Sequence, residues 1–250
     1  MRYVFTLAYD GTHFFGWQKQ PKQISVQEVI EKTMGKLLGL TAVDIVGCGR
    51  TDTGVHASYY VAHVDLPIEI DTEQWVYKLN KMLPKSIVIF QLQRTDKQFH
   101  ARFSATQRTY HYFIHFGKDP FAYNSVQQYV ALDFDRMNEA AQWLLGTQDF
   151  TSFSKLHTDV KTNICTVSKA VWEEIGPGKW RFEISADRFL RNMVRAVVGT
   201  LLEVGQGKIG IDEFRTIIAA KDRGVSGTSA PANGLFLCDI EYPDLTLRSQ

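Results

Sequence analysis

The feature that most constrains this chain is that it runs through the same order of elements twice. The opening RYVFTLAYD alternates Tyr3, Phe5 and Leu7 with Val4, Thr6 and Ala8, the period of two expected of a strand. Ser25 and Glu28 form an S-x-x-E capping box, and Val26, Val29, Ile30, Met34, Leu37 and Leu38 follow at helical spacing. VDIVGCG and YYVAHVDLP are rich in β-branched and aromatic residues and predict two further strands. Asp71 and Gln74 then cap a helix with Trp75, Leu79, Met82 and Leu83 on one side, ended by Pro84, and SIVIFQLQ closes the half as a strand.

The second half repeats this β-α-β-β-α-β order with insertions: strand RTYHYFIHF, helix FDRMNEAAQWLLG, strands VSKAVWEEI and KWRFEISA, helix FLRNMVRAVVGTLLEVG, a short helix from Asp212 and strand GLFLCDIEY. The class is α+β, with two similar ferredoxin-like units whose sheets are expected side by side. The expected units are residues 1–103 and 104–250, with the boundary near HARFSATQ, where no Gly/Pro linker stands, so an extensive shared interface is expected.

Charge gives no global signal, because 28 Lys and Arg stand against 27 Asp and Glu. A case for nucleic acid must therefore rest on local clusters. Arg94, Lys97, Arg102 and Arg108 form one, opposed by Asp96; Arg181, Arg188, Arg191 and Arg195 recur with Glu183 and Asp187 between them. Cys48, Cys165 and Cys238 are widely spaced with no C-x-x-C pair, which argues against a disulfide framework and a cysteine zinc site. With no signal segment and no apolar run of roughly 18 residues, a reducing cytoplasm is the expected location and no membrane partner is expected.

One stretch stands apart, GCGRTDTGVHA, residues 47–57. Its glycines miss the last position of G-x-G-x-x-G and no G-K-[ST] follows, so no nucleotide cofactor is anchored here. His111 and His115 lie on a strand pattern, and His56 and His63 have no third ligand at a recognisable spacing, so no metal is expected. No G-x-S-x-G nucleophile occurs. What remains is Asp52, between two threonines, with Arg50 before it to favour the ionised form and Gly49 and Gly54 to permit close backbone approach. Such a carboxylate suits a nucleophile or a base. An aspartate that braces a turn is the competing reading of the same residue.

GRTDTGVHA closely resembles the G-R-T-D-A-G-V-H-A signature of the TruA family of tRNA pseudouridine synthases. Further segments resemble the family in order: YDGTHFFGWQKQ, LNKMLP, FHARFSATQRTYHY, FLRNMVRAVVG and APANGLFLCDIEY. Two departures lie at Thr53, in place of the more usual alanine, and at SYYVAH, in place of a stretch that often carries glycine and glutamine. The resemblance implies the pseudouridine synthase fold with a central cleft. It also implies isomerisation of uridine to pseudouridine in the anticodon stem-loop of tRNA, at positions 38, 39 and 40, without a cofactor.

By the same resemblance Asp52 is the catalytic residue, Tyr110 stacks on the uracil, Arg195 is the ion pair of Asp52, Leu235 walls the pocket and Arg50 contacts phosphate near the flipped nucleotide. Arg102, Arg108 and Arg191 become RNA backbone contacts, and a homodimer is expected. Spacing alone places Arg191 and Arg195 four apart, on one helical face. Two other classes stay open at this point: a non-catalytic RNA-binding protein, which predicts binding without turnover, and a metal-dependent hydrolase using His56 and Asp52, which predicts loss of activity on chelation.

Overall fold

The computed structural model describes residues 1–155 and 162–243. Contacts divide the chain into two compact units. One is Met1–Thr106 together with the described residues from Leu237 onward, and the other is Gln107–Phe236.

The first unit contains β1 (Arg2–Tyr9), α1 (Val26–Leu37), β2 (Ile45–Gly47), β3 (His56–Asp65), α2 (Thr72–Met82) and β4 (Ile87–Arg94). Strand order is β4-β1-β3, with β2 also on β3, and every pair is antiparallel. This is the order that a split β-α-β requires: each crossover helix skips one strand, which the other half of the unit fills. Val4, Phe5 and Leu7 of β1 are buried with Val61, Ala62 and Val64 of β3, and Ile30, Met34 and Leu79 come from the helices. Ser25 Oγ accepts from Glu28 N at 3.3 Å and Asp71 Oδ1 from Gln74 N at 3.0 Å, so both helix starts are capped by the residues the sequence marks.

The second unit contains β5 (Gln107–Phe116), β6 (Val126–Gln128), α3 (Phe134–Gln142), β7 (Gly146–Asp149), β8 (Ile164–Gly176), β9 (Lys179–Ala186), α4 (Met193–Gly205) and α5 (Ile211–Ala220). A last strand, β10 (Leu235–Glu241), begins in this unit and ends in the first. Strand order is β5-β9-β8-β7, with β6 parallel to β5. Tyr112, Ile114, Phe182, Ile184 and Trp172 are buried with Met137, Ala140, Val197, Val198, Leu201 and Phe214. Ten of the thirteen residues of α4 are buried, so this helix is enclosed on most sides and not merely laid on a surface.

Each unit uses an asparagine to fix helix to strand. Asn80 on α2 donates to Ile89 O and accepts from Ile89 N, both at 2.8 Å. Asn138 on α3 does the same for Trp172, at 3.0 and 2.7 Å. The asparagine of the LNKMLP segment is thus a structural clamp that satisfies both polar groups of one strand residue.

Several expectations change. Met82, the last residue of α2, is exposed while Trp75, Leu79 and Leu83 are buried. Strand β3 starts at His56, three residues before YYVAHVDLP, and β6 and β7 are short additions whose sequences carry no alternation long enough to read. The helix expected from Phe189 starts at Met193. Asn192 takes a left-handed conformation with φ of 66°, which asparagine tolerates better than most residues and which no helix can continue through. Arg191 therefore lies before the helix, and it does not share a helical face with Arg195. Among the described residues no helix is long and apolar enough to cross a membrane.

His63 on β3 is buried and accepts from Ala101 N at Nδ1, 3.1 Å away. Burial, then the charges of Arg2 and His100, push its pKa down from 6.5 to about 4, against a smaller opposite pull from Asp65. Between those values the unfolded chain takes up a proton that the folded chain refuses, so stability from this group is complete above pH 6.5 and lost as pH falls toward 4. Wild type is expected to lose on the order of 2–3 kcal/mol more than His63→Asn between pH 7 and pH 4. Urea titrations at several pH values measure the difference, and parallel curves for the two proteins would contradict it.

Candidate active site

In the first unit two loops interlock around Asp52. The stretch after β1, residues 10–24, is long for a connection, and the structure shows why. Gly16, at φ of 79°, passes so close to the Asp52 loop that a Cβ there would lie 2.2 Å from Thr51 O. Gly11 passes Val55 equally closely, with Val55 O at 2.0 Å from such a Cβ. Trp17 N donates to Thr51 O at 3.4 Å, Gly54 N to Phe14 O at 3.3 Å and Gly11 N to His56 Nδ1 at 3.1 Å. Within the loop, Val55 N donates to Asp52 O at 3.1 Å and Gly54 takes φ of 79°, closing a tight turn whose first residue is Asp52.

Below this turn lies an aromatic floor. Trp17 stacks on Tyr60 with ring centroids 4.0 Å apart, and Tyr9 leans on both. The Tyr9 hydroxyl is 2.9 Å from Thr51 Oγ1, a buried pair, and the Tyr60 hydroxyl donates to Gly49 O. Gly47 leaves room for this floor, since a Cβ there would meet Tyr60 Oη at 2.2 Å and Trp17 Nε1 at 2.5 Å. Gln27 and the buried Glu31 on α1 carry the support outward. Gln27 Oε1 accepts from Lys19 N at 3.0 Å, its amide donates to Ile45 O at 2.8 Å, and Glu31 pairs with Lys19 Nζ at 3.2 Å. Asp52 is half-buried on this base, and Arg50 and Thr53 on either side are exposed.

Arg102 also belongs to this unit but stands on a separate loop, exposed, with its guanidinium 5.6 Å from the Phe103 ring.

In the second unit Arg108 and Tyr110 stand two apart on β5, hence on the same strand face. Tyr110 is half-buried, its ring edge-on to Phe189 at 5.1 Å, while Tyr112 is fully buried and donates to Pro231 O at 2.9 Å. Burial pushes the Tyr112 hydroxyl pKa up, and the positive charge of Arg195 pulls against it. Arg195 occupies the first turn of α4, and its Nε donates to Ala230 O at 2.7 Å. Leu235 is buried at the start of β10, just after Gly234, where a Cβ would meet Phe113 O at 2.9 Å. Arg108 donates to Asp187 O at 2.8 Å, and Arg191 is exposed.

The histidines have other occupations. His111 lies 3.4 Å from Glu183 within a surface ion network that includes Lys169 and Arg181, and His115 pairs with Ser125 Oγ at 3.1 Å. Among the described residues no group of three or more His, Cys, Asp or Glu side chains is arranged to hold a metal ion. Sequence reasoning missed the interlock of residues 11–17 with the Asp52 loop. Its signal was present in the glycines at 11, 16, 47 and 54, each at a close approach or a positive φ.

A family model described as tRNA pseudouridine synthase matches residues 6–104 and 140–243. The chain belongs to the tRNA pseudouridine synthase family. The relative from Bacteroides fragilis, named tRNA pseudouridine synthase A, is 52% identical, with 97% of this chain and 96% of the relative covered. Proteins of the same name from Porphyromonas gingivalis and Bacillus subtilis are 50% and 41% identical over 97% of this chain and 97% and 99% of theirs. Asp52, Arg50, Arg102, Arg191, Arg195 and Leu235 lie within the matched residues, and Arg108 and Tyr110 fall between the two matched segments.

Gly16→Ala combines a side chain in left-handed backbone with a clash against a carbonyl. It is expected to cost at least about 2 kcal/mol by urea denaturation. Gly49→Ala, with nothing within 4 Å of the added carbon, serves as the control and is expected to fold like wild type. Equal stability of the two variants would mean that the loops are not interlocked as described.

Proposed function

We propose that this chain isomerises uridine to pseudouridine in the anticodon stem-loop of tRNAs, at positions 38, 39 and 40, with Asp52 as the catalytic residue. The observation that carries the reading is the clamped, half-buried Asp52 turn inside a chain that the tRNA pseudouridine synthase family model matches in both of its units. Isomerisation breaks the bond from N1 to C1′ of the ribose and forms one from C5 to C1′. The C5 proton is released and N1 ends protonated. No electrons are exchanged, so the chemistry calls for no redox cofactor.

A base within a folded RNA cannot turn, so it must be extruded, at a cost of a few kcal/mol, into a site that grips its face and polar edge. Tyr110 is assigned to stack on the uracil and Leu235 to wall the site; the half-exposed ring of the one and the burial of the other suit those roles. Arg195 is assigned as the cation serving the Asp52 carboxylate, and Arg50 as the phosphate contact that assists extrusion. The rigid turn suits each starting step open to Asp52: addition to C6, attack on C1′ or removal of a ribose proton. Arg102, Arg108 and Arg191 are assigned to the RNA backbone. Service of neighbouring positions favours recognition by shape over sequence. The enzyme is further assigned as a cytoplasmic homodimer, which sedimentation tests directly.

The decisive measurement is tritium release from tRNA labelled at C5 of its uridines, with a chelator and no added cofactor. Wild type is expected to release tritium and Asp52→Asn to bind the same tRNA without release. Binding with no release from either protein would favour the RNA-binding alternative, and loss of wild-type release on chelation would favour the metal-dependent one. Affinity for tRNA is expected to fall with salt by about 0.7 to 0.9 log units per log unit for each phosphate contacted. Arg102→Ala, Arg108→Ala and Arg191→Ala should each shallow that slope by roughly one contact.

A further inference from the structure

Arg195 does not hold its position through α4 alone. Its Nε donates to Ala230 O at 2.7 Å, and Ala230 N donates back to Arg195 O at 2.9 Å, so the helix and residues 226–230 form a two-way clasp. That segment lies directly on the helix: a Cβ at Gly199 would meet Thr228 O at 1.8 Å, and Gly227 N donates to Thr200 Oγ1 at 3.0 Å. What shapes the segment is a second arginine. Arg223 Nη1 donates to Ser226 Oγ at 2.7 Å and reaches Gly227 O at 3.3 Å, while its Nη2 donates to Ser229 Oγ at 2.9 Å. Asn192 Nδ2 donates to the same Ser229 Oγ at 2.6 Å, which ties the left-handed residue before α4 to the strap. Ser226 Oγ also lies 2.6 Å from Ser152 O, anchoring the far end.

We infer that Arg223 is a positioning residue for the isomerisation: by gathering residues 226–229 it fixes the Ala230 carbonyl, and that carbonyl orients the Arg195 guanidinium. The inference rests on the assignment of Arg195 to the reaction. A guanidinium bound through Nε has its two Nη groups directed rigidly, whereas one released from Ala230 loses that constraint on its orientation. The planar fork of Arg223 reaches Ser226, Gly227 and Ser229 together; a lysine presents a single point of charge and cannot span them.

The test compares single-turnover tritium release at saturating tRNA, tRNA dissociation constants and melting temperatures. The proteins are wild type, Arg223→Ala, Arg223→Lys, Ser229→Ala, Arg195→Ala and the double variant Arg195→Ala/Arg223→Ala. Arg223→Ala and Arg223→Lys are expected to slow turnover by about 10- to 100-fold, the scale of an ångström-level misplacement, with tRNA affinity unchanged. Ser229→Ala should slow it less, and it carries the test if the Arg223 variants do not fold. The double variant should be no slower than Arg195→Ala, because a residue acting through Arg195 has nothing left to act on. Wild-type rates for the Arg223 and Ser229 variants beside a slow Arg195→Ala would overturn the inference. So would effects of Arg223 and Arg195 that simply multiply, as a structural role dictates. A wild-type rate for Arg195→Ala would instead remove the assignment on which the inference rests.

Discussion

The Asp52 turn depends on one close approach, the backbone of Gly16 against the carbonyl of Thr51. A turn of four residues with one internal hydrogen bond has little to hold it in water, since fixing each residue costs roughly 1–2 kcal/mol of conformational entropy. Here the ordering comes from outside the turn. Two glycines bring a second loop within contact distance, Phe14 and Trp17 supply backbone partners, and the Trp17–Tyr60 stack places a wide apolar floor beneath. The carboxylate is carried by a backbone that is held from three sides before any substrate arrives. For the role proposed for Asp52 such preorganisation matters, because no reorganisation is then required as charge develops.

The second unit arrives at an equivalent outcome by different means. Arg195 sits where a left-handed asparagine lets the chain enter a buried helix, and a strap of small residues crosses that helix at Gly199. Small residues dominate this strap because its backbone must reach the helix, while the Ser226 and Ser229 hydroxyls bond Arg223 and Asn192. The APANGL stretch continues the theme: Gly234 lets the chain graze β5, and Leu235 follows it into the core.

Much of this was legible in the sequence. The twofold β-α-β-β-α-β order, the caps at Ser25 and Asp71, and the limits of β9 follow from periodicity and local chemistry, which act within a few residues. Less legible was anything decided at a distance. The start of α4 differs from the expectation because Phe189, Leu190 and Met193 continue a helical spacing that the left-handed backbone of Asn192 interrupts. Strands β6 and β7 are three and four residues long and exist through their partners, β5 and β8. Asp52 stood out by its neighbours, yet the reason for those neighbours lies 36 residues earlier in the chain, at Gly16, and no local pattern could supply it.

Because the interlock is built from glycine backbone and carbonyl groups, it makes almost no demand on the side chains that point outward from the same two loops. Thr12, His13 and Thr53 are all exposed, and Thr53 is the position where this chain parts from the usual signature. The loops thus combine an inner frame, where an added Cβ at Gly11 or Gly16 would strike backbone, with an outer rim whose side chains are exposed. Under the role proposed for Asp52, substitutions on this rim would change what the loops meet without disturbing the turn that carries the carboxylate.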